Sequence, residues 1–218
     1  WGLFTIAATI PLALLMGSAL RFTKAGITSV SVAGVVGLLL AVWGSLNLVF
    51  TSGDLFTLYV ALELLTFAGV PLVCLDGKGE TLLSALRYLL FALAGSIFYL
   101  LGAVLVYGEW GTLDVALLAQ RVQPGPVAWA AAALMTTGLL AKTALFPLHL
   151  WLPPAHAGAP PAASAVLSAL VVKGSFFIVV RLWFDAMPAL PGFAAAQLLA
   201  GLGAAAATVP GTADHPIA

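Results

Sequence analysis

The chain has 218 residues, of which 62% are apolar and only 7% charged, whereas a soluble domain carries about 25% charged residues. A surface so poor in charge would not stay hydrated as a globule, and the bilayer is the solvent that suits it. Eight basic and eight acidic residues give zero net charge. The absence of a basic tail or acidic run speaks against nucleic acid as a partner. The single cysteine, Cys74, excludes an intrachain disulfide framework.

A spanning helix needs about 20 mostly apolar residues, and seven segments read this way. The chain opens at Trp1 rather than methionine, which reads as a fragment or a processed chain. Its first segment, 2–20, has neither a basic n-region nor a clear cleavage pattern and reads as a spanning helix. Arg21 and Lys24 follow it. The second, 30–50, is parted from the third, 55–75, by the polar turn Thr51, Ser52, Gly53 and Asp54. Asp76 to Glu80 close the third. The fourth, 82–107, begins near Arg87 and Tyr88. The longest connection, 108–125, carries Glu109, Asp114 and Arg121. The fifth runs over 126–148. Pro153, Pro154, Pro160 and Pro161 then crowd the approach to the sixth, 161–184, and proline suits helix ends and breaks because it lacks a backbone donor. The seventh, 192–209, is rich in alanine and glycine. The polar stretch from Thr208 reads as a solvated tail or as a truncated or frame-shifted end. The expected fold is an all-α polytopic membrane protein with about seven transmembrane helices. Trp110, Trp151 and Trp183 stand at segment ends, where interfacial aromatics sit.

Ionisable residues inside apolar helices carry the functional reading. Glu63 lies eight residues after Leu55, or about 12 Å into the membrane at the helical rise. A lone carboxylate there costs about 2.5–3.5 kcal/mol on insertion scales. It reduces that cost by staying protonated, facing water or pairing with a cation, and each choice makes its protonation sensitive to its surroundings. A structural ion pair is the bland alternative. Lys142 precedes Pro147 by five residues. A broken helix beside a charge resembles transporter ion sites, where irregular backbone lines a wet cavity, although its long stem could also snorkel. Lys173 lies twelve residues after Pro161, about 18 Å along a helix and too central to snorkel easily. Ser168, Gly174 and Ser175 lie within a turn or so of it, small enough to admit water. Glu63, Lys142 and Lys173 together read as a proton relay with coupled titrations. His149 and His156 flank the Trp151 to Pro154 run; with Ser168 and Ser175 they form a possible half-channel. Two histidines without further ligands are a weak metal site, so no metal is expected. No phosphate loop, dinucleotide fingerprint or cysteine set appears, so neither a cofactor nor redox chemistry is expected in this chain.

The run from Ser52 to Glu63 resembles the glutamate-bearing helix of the antiporter-like subunits of respiratory complex I (NADH:quinone oxidoreductase), Mrp-type cation/proton antiporters and membrane-bound hydrogenases. Ala141 to Pro153 is similar to that family's broken lysine helix and following loop. His156 to Lys173 is similar to its next helix with the central lysine. The resemblance covers roughly 30–184 and implies one five-helix antiporter-like repeat, with 1–29 an N-terminal helix and loop and 185–218 a weak seventh helix and tail. It implies that Glu63 pairs with Lys142, that Lys173 passes protons along a central axis, and that other membrane subunits supply redox energy or a cation gradient. The transported ions would be protons or sodium, and the location a prokaryotic inner membrane. Family members usually have about fourteen helices, so the chain would supply one half-channel. The Ser52 to Phe56 turn and the Ala159 to Ala162 segment lean toward the D-type subunit of Mrp antiporters. A stand-alone solute transporter and a non-transporting, truncated scaffold are the competing readings.

Alternation of the segments puts Arg21, Lys24, Lys78 and Arg87 on one face and Arg121 and Arg181 on the other. The positive-inside rule makes the first face cytoplasmic. In a Cys74→Ser background, Lys78→Cys is expected to react with an impermeant maleimide only from the cytoplasm, and Gln123→Cys only from outside. The reverse labelling pattern would invert this topology.

Overall fold

The computed structural model describes residues 29–75, 77–190, 192, 200, 201 and 204. The first expected span, and most of the seventh, lie outside these residues. Ser29–Thr51 forms α1, Leu55–Val73 α2, Gly79–Trp110 α3, Val115–Arg121 α4, Pro126–Lys142 α5, Leu152–Gly158 α6 and Pro161–Ala186 α7. The architecture is all-α, as the sequence implies. α1, α2, α3 and α7 are each long and apolar enough to cross a membrane.

Several boundaries differ from the sequence expectation, and two connections are partly helical. α3 is longer, running on to Trp110, where Gly111 closes it in the left-handed region at φ 65° and donates its N–H to the Tyr107 carbonyl. The connection after it holds the short helix α4. α5 is shorter, ending at Lys142 rather than at 148. Pro147 has no N–H to give to the Thr143 carbonyl, so the helical ladder cannot continue. The proline-rich loop is itself partly helical. α6 has prolines in its first turn, where the missing N–H costs nothing.

One end of the bundle is tied by a pair of similar caps. Asp54 and Asp114 each accept a backbone N–H three residues on, from Thr57 and Leu117, both at 2.8 Å. They thereby cap α2 and α4. The two caps form an isolated antiparallel bridge, in which Leu55 N–H donates to Leu113 O at 2.9 Å and Val115 N–H to Gly53 O at 2.8 Å. Arg181, read from sequence as a flanking charge, is instead buried in α7. It donates to the Ser52 carbonyl and, at 3.1 Å, to Asp185.

α3 and α5 approach backbone to backbone. A Cβ at Gly95 would lie 2.7 Å from the Gly138 carbonyl, and one at Gly138 would meet the Gly95 carbonyl and, at 2.8 Å, the Tyr99 nitrogen. Gly102 similarly faces the Ala131 carbonyl at 2.8 Å. Small residues allow this contact, which in lipid must be won by van der Waals packing because burial gives no hydrophobic gain. Two apolar clusters fill the interior. One gathers Leu58, Leu62, Tyr99, Met135 and Leu139 toward the capped end. The other gathers Leu65, Leu72, Tyr88, Trp151 and Leu167 toward the opposite end. Phe67, Leu90, Ile97 and Leu101 point outward, as a lipid-facing surface requires.

Gly138→Ala is expected to destabilise the fold by about 1–3 kcal/mol, the usual cost of overpacking. Gly108→Ala, whose Cβ would meet nothing within 4 Å, serves as the control. Thermal unfolding in detergent should separate the two; equal melting temperatures would remove the α3–α5 contact from the account.

Candidate functional site

Between the two apolar clusters lies a thin polar layer. α2 delivers Glu63 and Thr66, which are one turn apart and so share a face. α3 delivers Ser96, next to the Gly95 contact. α5 ends on Lys142, whose Cγ would lie 3.4 Å from a Cβ at Gly95. The glycine therefore makes room for the lysine stem. Lys142 is 5% exposed and Glu63 13%, and the ammonium donates to Glu63 Oε1 at 3.3 Å. It also donates to Thr66 Oγ1 at 2.9 Å. Ser96 Oγ donates to the same carboxylate oxygen. Lys142 does not snorkel. Its pairing with Glu63 compensates two charges that would each be costly alone, and removing one partner of a buried pair typically costs about 3–5 kcal/mol.

The break after Lys142 is itself held. Thr143 Oγ1 donates to the Leu139 carbonyl, and Ala144 adopts φ 52°. The Ala141 carbonyl, just before the break, accepts the Ala144 N–H at 3.3 Å and, more closely, the Trp151 indole N–H at 2.8 Å. Trp151 is thus 1% exposed and stacked on Tyr88 at 4.5 Å, not interfacial as its position at a segment end suggests. Trp183 also turns inward and donates to Thr136 Oγ1 at 3.0 Å.

The remaining sequence-derived residues divide into separate groups. His156 places Nδ1 at 2.6 Å from Ser164 Oγ and Nε2 at 3.2 Å from Ser168 Oγ, which joins α6 to the start of α7. Ser175 is buried and lines a small cavity beside Lys142, together with Thr66 and Tyr88. His149 sits in the loop after the break, 5.7 Å from the Phe146 ring, with Nδ1 buried and without a partner among the described residues. Lys173 does not join the Glu63–Lys142 pair. It is on the exposed face of α7. The π turn Leu167–Val171 lies just before it; one extra residue in a turn rotates everything after it relative to a regular helix.

Thr66, Ser96, Tyr88 and Arg181 were missed as site or framework residues. Thr66 was accessible in principle, since it follows Glu63 by three positions on one helix face. Ser96 and Tyr88 carry no such signal, because only tertiary packing brings α3 to the pair.

The model of the family described as NADH:quinone oxidoreductase/Mrp antiporter, transmembrane, matches residues 52–212. The N subunit of NADH-quinone oxidoreductase from Desulforudis audaxviator is 39% identical over 171 residues, 77% of this chain and 34% of that protein. The D-type subunit of the Na(+)/H(+) antiporter from Bacillus subtilis is 32% identical over 154 residues, 69% of this chain and 30% of that protein. The chain spans about a third of the length of the curated relatives it matches. Among solved structures, the archaeal membrane-bound sulfane sulfur reductase contains a similar chain, with TM-score 0.76, 27% identity and coverage of 87% of this chain and 39% of that one. Respiratory complex I from Thermus thermophilus contains another, with TM-score 0.64, 27% identity and coverage of 80% and 39%.

Burial holds the His156 imidazole below its ordinary value of 6.5. The folded state therefore keeps the ring neutral while the unfolded state protonates first. The stability contributed by neutral His156 should be fully present above pH 6.5 and be lost as the pH falls through its lowered value. A melting series from pH 7.5 to 5 tests this, and His156→Gln should flatten the slope.

Proposed function

Because the chain belongs to the NADH:quinone oxidoreductase/Mrp antiporter transmembrane family, we propose that it is a proton-translocating element of a complex I-like or Mrp-like assembly in a prokaryotic inner membrane. The observation that carries this reading is the buried contact of Lys142 with Glu63, 3.3 Å apart between two apolar clusters. In such a low-dielectric layer, neutralising one partner strongly changes the proton affinity of the other. When Glu63 takes a proton, the Lys142 ammonium loses its counter-charge and releases its own proton more readily. Thr66 and Ser96 hold the two groups in place, so little reorganisation accompanies each transfer. Lys173, on the outer face of α7, hands protons on to the remainder of the pathway in neighbouring segments or subunits. His156 with Ser164 and Ser168 supports a hydrated approach at the opposite end from the aspartate caps. Redox energy or a cation gradient comes from partner subunits, and no cofactor is assigned to this chain.

Similarity to the D-type subunit of the Bacillus subtilis Na(+)/H(+) antiporter favours a second reading, in which proton movement is exchanged for sodium. Reconstitution of the assembled complex in proteoliposomes distinguishes the readings. Lys142→Ala and Glu63→Gln should each lower proton flux about a hundredfold, the scale of losing a positioned acid or base. Lys173→Ala should do so as well. Dependence of that flux on a sodium gradient would favour exchange. Wild-type flux in all three variants would leave only a scaffold role.

A further inference from the structure

Tyr88 is 1% exposed, yet its hydroxyl has no hydrogen-bond partner among the described residues. Buried hydroxyls are nearly always satisfied, by protein or by water, so such a group needs a physical explanation. Its ring is fixed from one side by Trp151, stacked at 4.5 Å and 12°. Its hydroxyl is admitted by Gly69, where a Cβ would lie 3.1 Å away. The side chain thereby lines the cavity beside Lys142, whose polar walls are Thr66, Tyr88, Lys142 and Ser175 and whose apolar walls include Leu65 and Val171. Glu63 does not line it.

The hydrogen-bonding capacity left over on those walls converges. Lys142 spends two of its N–H groups on Glu63 and Thr66, which leaves a third. Thr66 gives its hydrogen to the Leu62 carbonyl at 2.9 Å, and Ser175 gives its own to the carbonyls of Val171 and Val172. Each hydroxyl oxygen retains acceptor capacity. With the Tyr88 hydroxyl, these are the two to four polar partners that a buried water takes.

We propose that this cavity is a water site and that Tyr88 is a positioning residue, holding the water against Lys142. The inference rests on the relay reading and adds a direction to it. A proton leaving the ammonium is taken up by the water as hydronium, hydrogen-bonded to the Ser175 oxygen on α7, and passes from it to the onward pathway that the relay reading assigns to Lys173, while Lys142 is left as the neutral amine. Without the Tyr88 hydroxyl the water is poorly aligned, and return to Glu63 competes.

The test uses the assembled complex in proteoliposomes, with Tyr88→Phe, Ser175→Ala and Lys142→Ala compared in parallel. Tyr88→Phe keeps the ring stacked on Trp151 and removes only the oxygen. It should assemble normally, translocate protons about three- to tenfold more slowly, the scale of one lost hydrogen bond, and show an altered deuterium solvent isotope effect. Ser175→Ala removes the opposite wall and should give the same two changes, which covers the case in which the tyrosine variant assembles poorly. Unchanged flux and isotope effect in either variant, with Lys142→Ala inactive, would overturn the Tyr88 assignment and leave the relay standing. Wild-type flux in Lys142→Ala would overturn both. A rise in melting temperature for Tyr88→Phe would also contradict the water site, since removing a dry, unpaired hydroxyl is what stabilises.

Discussion

An ammonium buried between two apolar clusters must be paired, and much of this structure follows from meeting that demand at Lys142. The group is 5% exposed and spends its hydrogen bonds on Glu63 and Thr66 from a different helix. Because buried charges tolerate neither distance nor a missing partner, the helices carrying them have little freedom to slide. α2 must present Glu63 and Thr66 on one face. α5 must end where its last side chain can reach them. The pair is therefore a functional candidate and, at the same time, a constraint on helix register.

Meeting the constraint depends on glycine and on an interrupted helix. Gly95 and Gly138 let α3 and α5 meet backbone to backbone, Gly95 leaves room for the Lys142 stem, and the neighbouring Ser96 donates to Glu63 on α2. Pro147 ends the helical ladder just beyond the lysine. Trp151 folds back over the break and donates to the Ala141 carbonyl, which the Ala144 N–H also reaches. That tryptophan is in turn fixed by stacking on Tyr88. The chain of contacts runs from a backbone break, through an indole and a phenol, to the cavity beside the ammonium. A local defect in α5 thus adjoins a defined polar layer.

The ends of the bundle are held by different means. At one end, backbone hydrogen bonds between two aspartate caps and the buried Arg181 join α1, α2, α4 and α7. At the other, His156 joins α6 to α7 through two serine hydroxyls. The first link is mostly backbone, whereas the second contains a titratable ring.

How much was legible in the sequence follows from where each signal resides. Composition alone required a membrane protein, because charge scarcity is a property of the whole chain and does not depend on its folding. Spans were readable because hydrocarbon thickness fixes helix length. Glu63, Lys142 and Lys173 stood out because an ionisable residue in an apolar run is costly wherever the run is placed. The fate of each charge was not legible. Pairing of Glu63 with Lys142 was expected only through a family resemblance, since the two residues are 79 positions apart. Trp151 looked interfacial by position and is core, because its indole N–H found a carbonyl that a local reading cannot locate. Arg181 was counted among the charges of the outer face and is buried against the Ser52 carbonyl. Lys173 lies on an exposed face of α7, after a π turn that residue spacing does not reveal. The sequence by itself determined the solvent, the helices and which residues would be expensive to bury, since these are local free energies. Only the tertiary structure decided which of them meet, since pairing depends on helix register and close approach across the bundle.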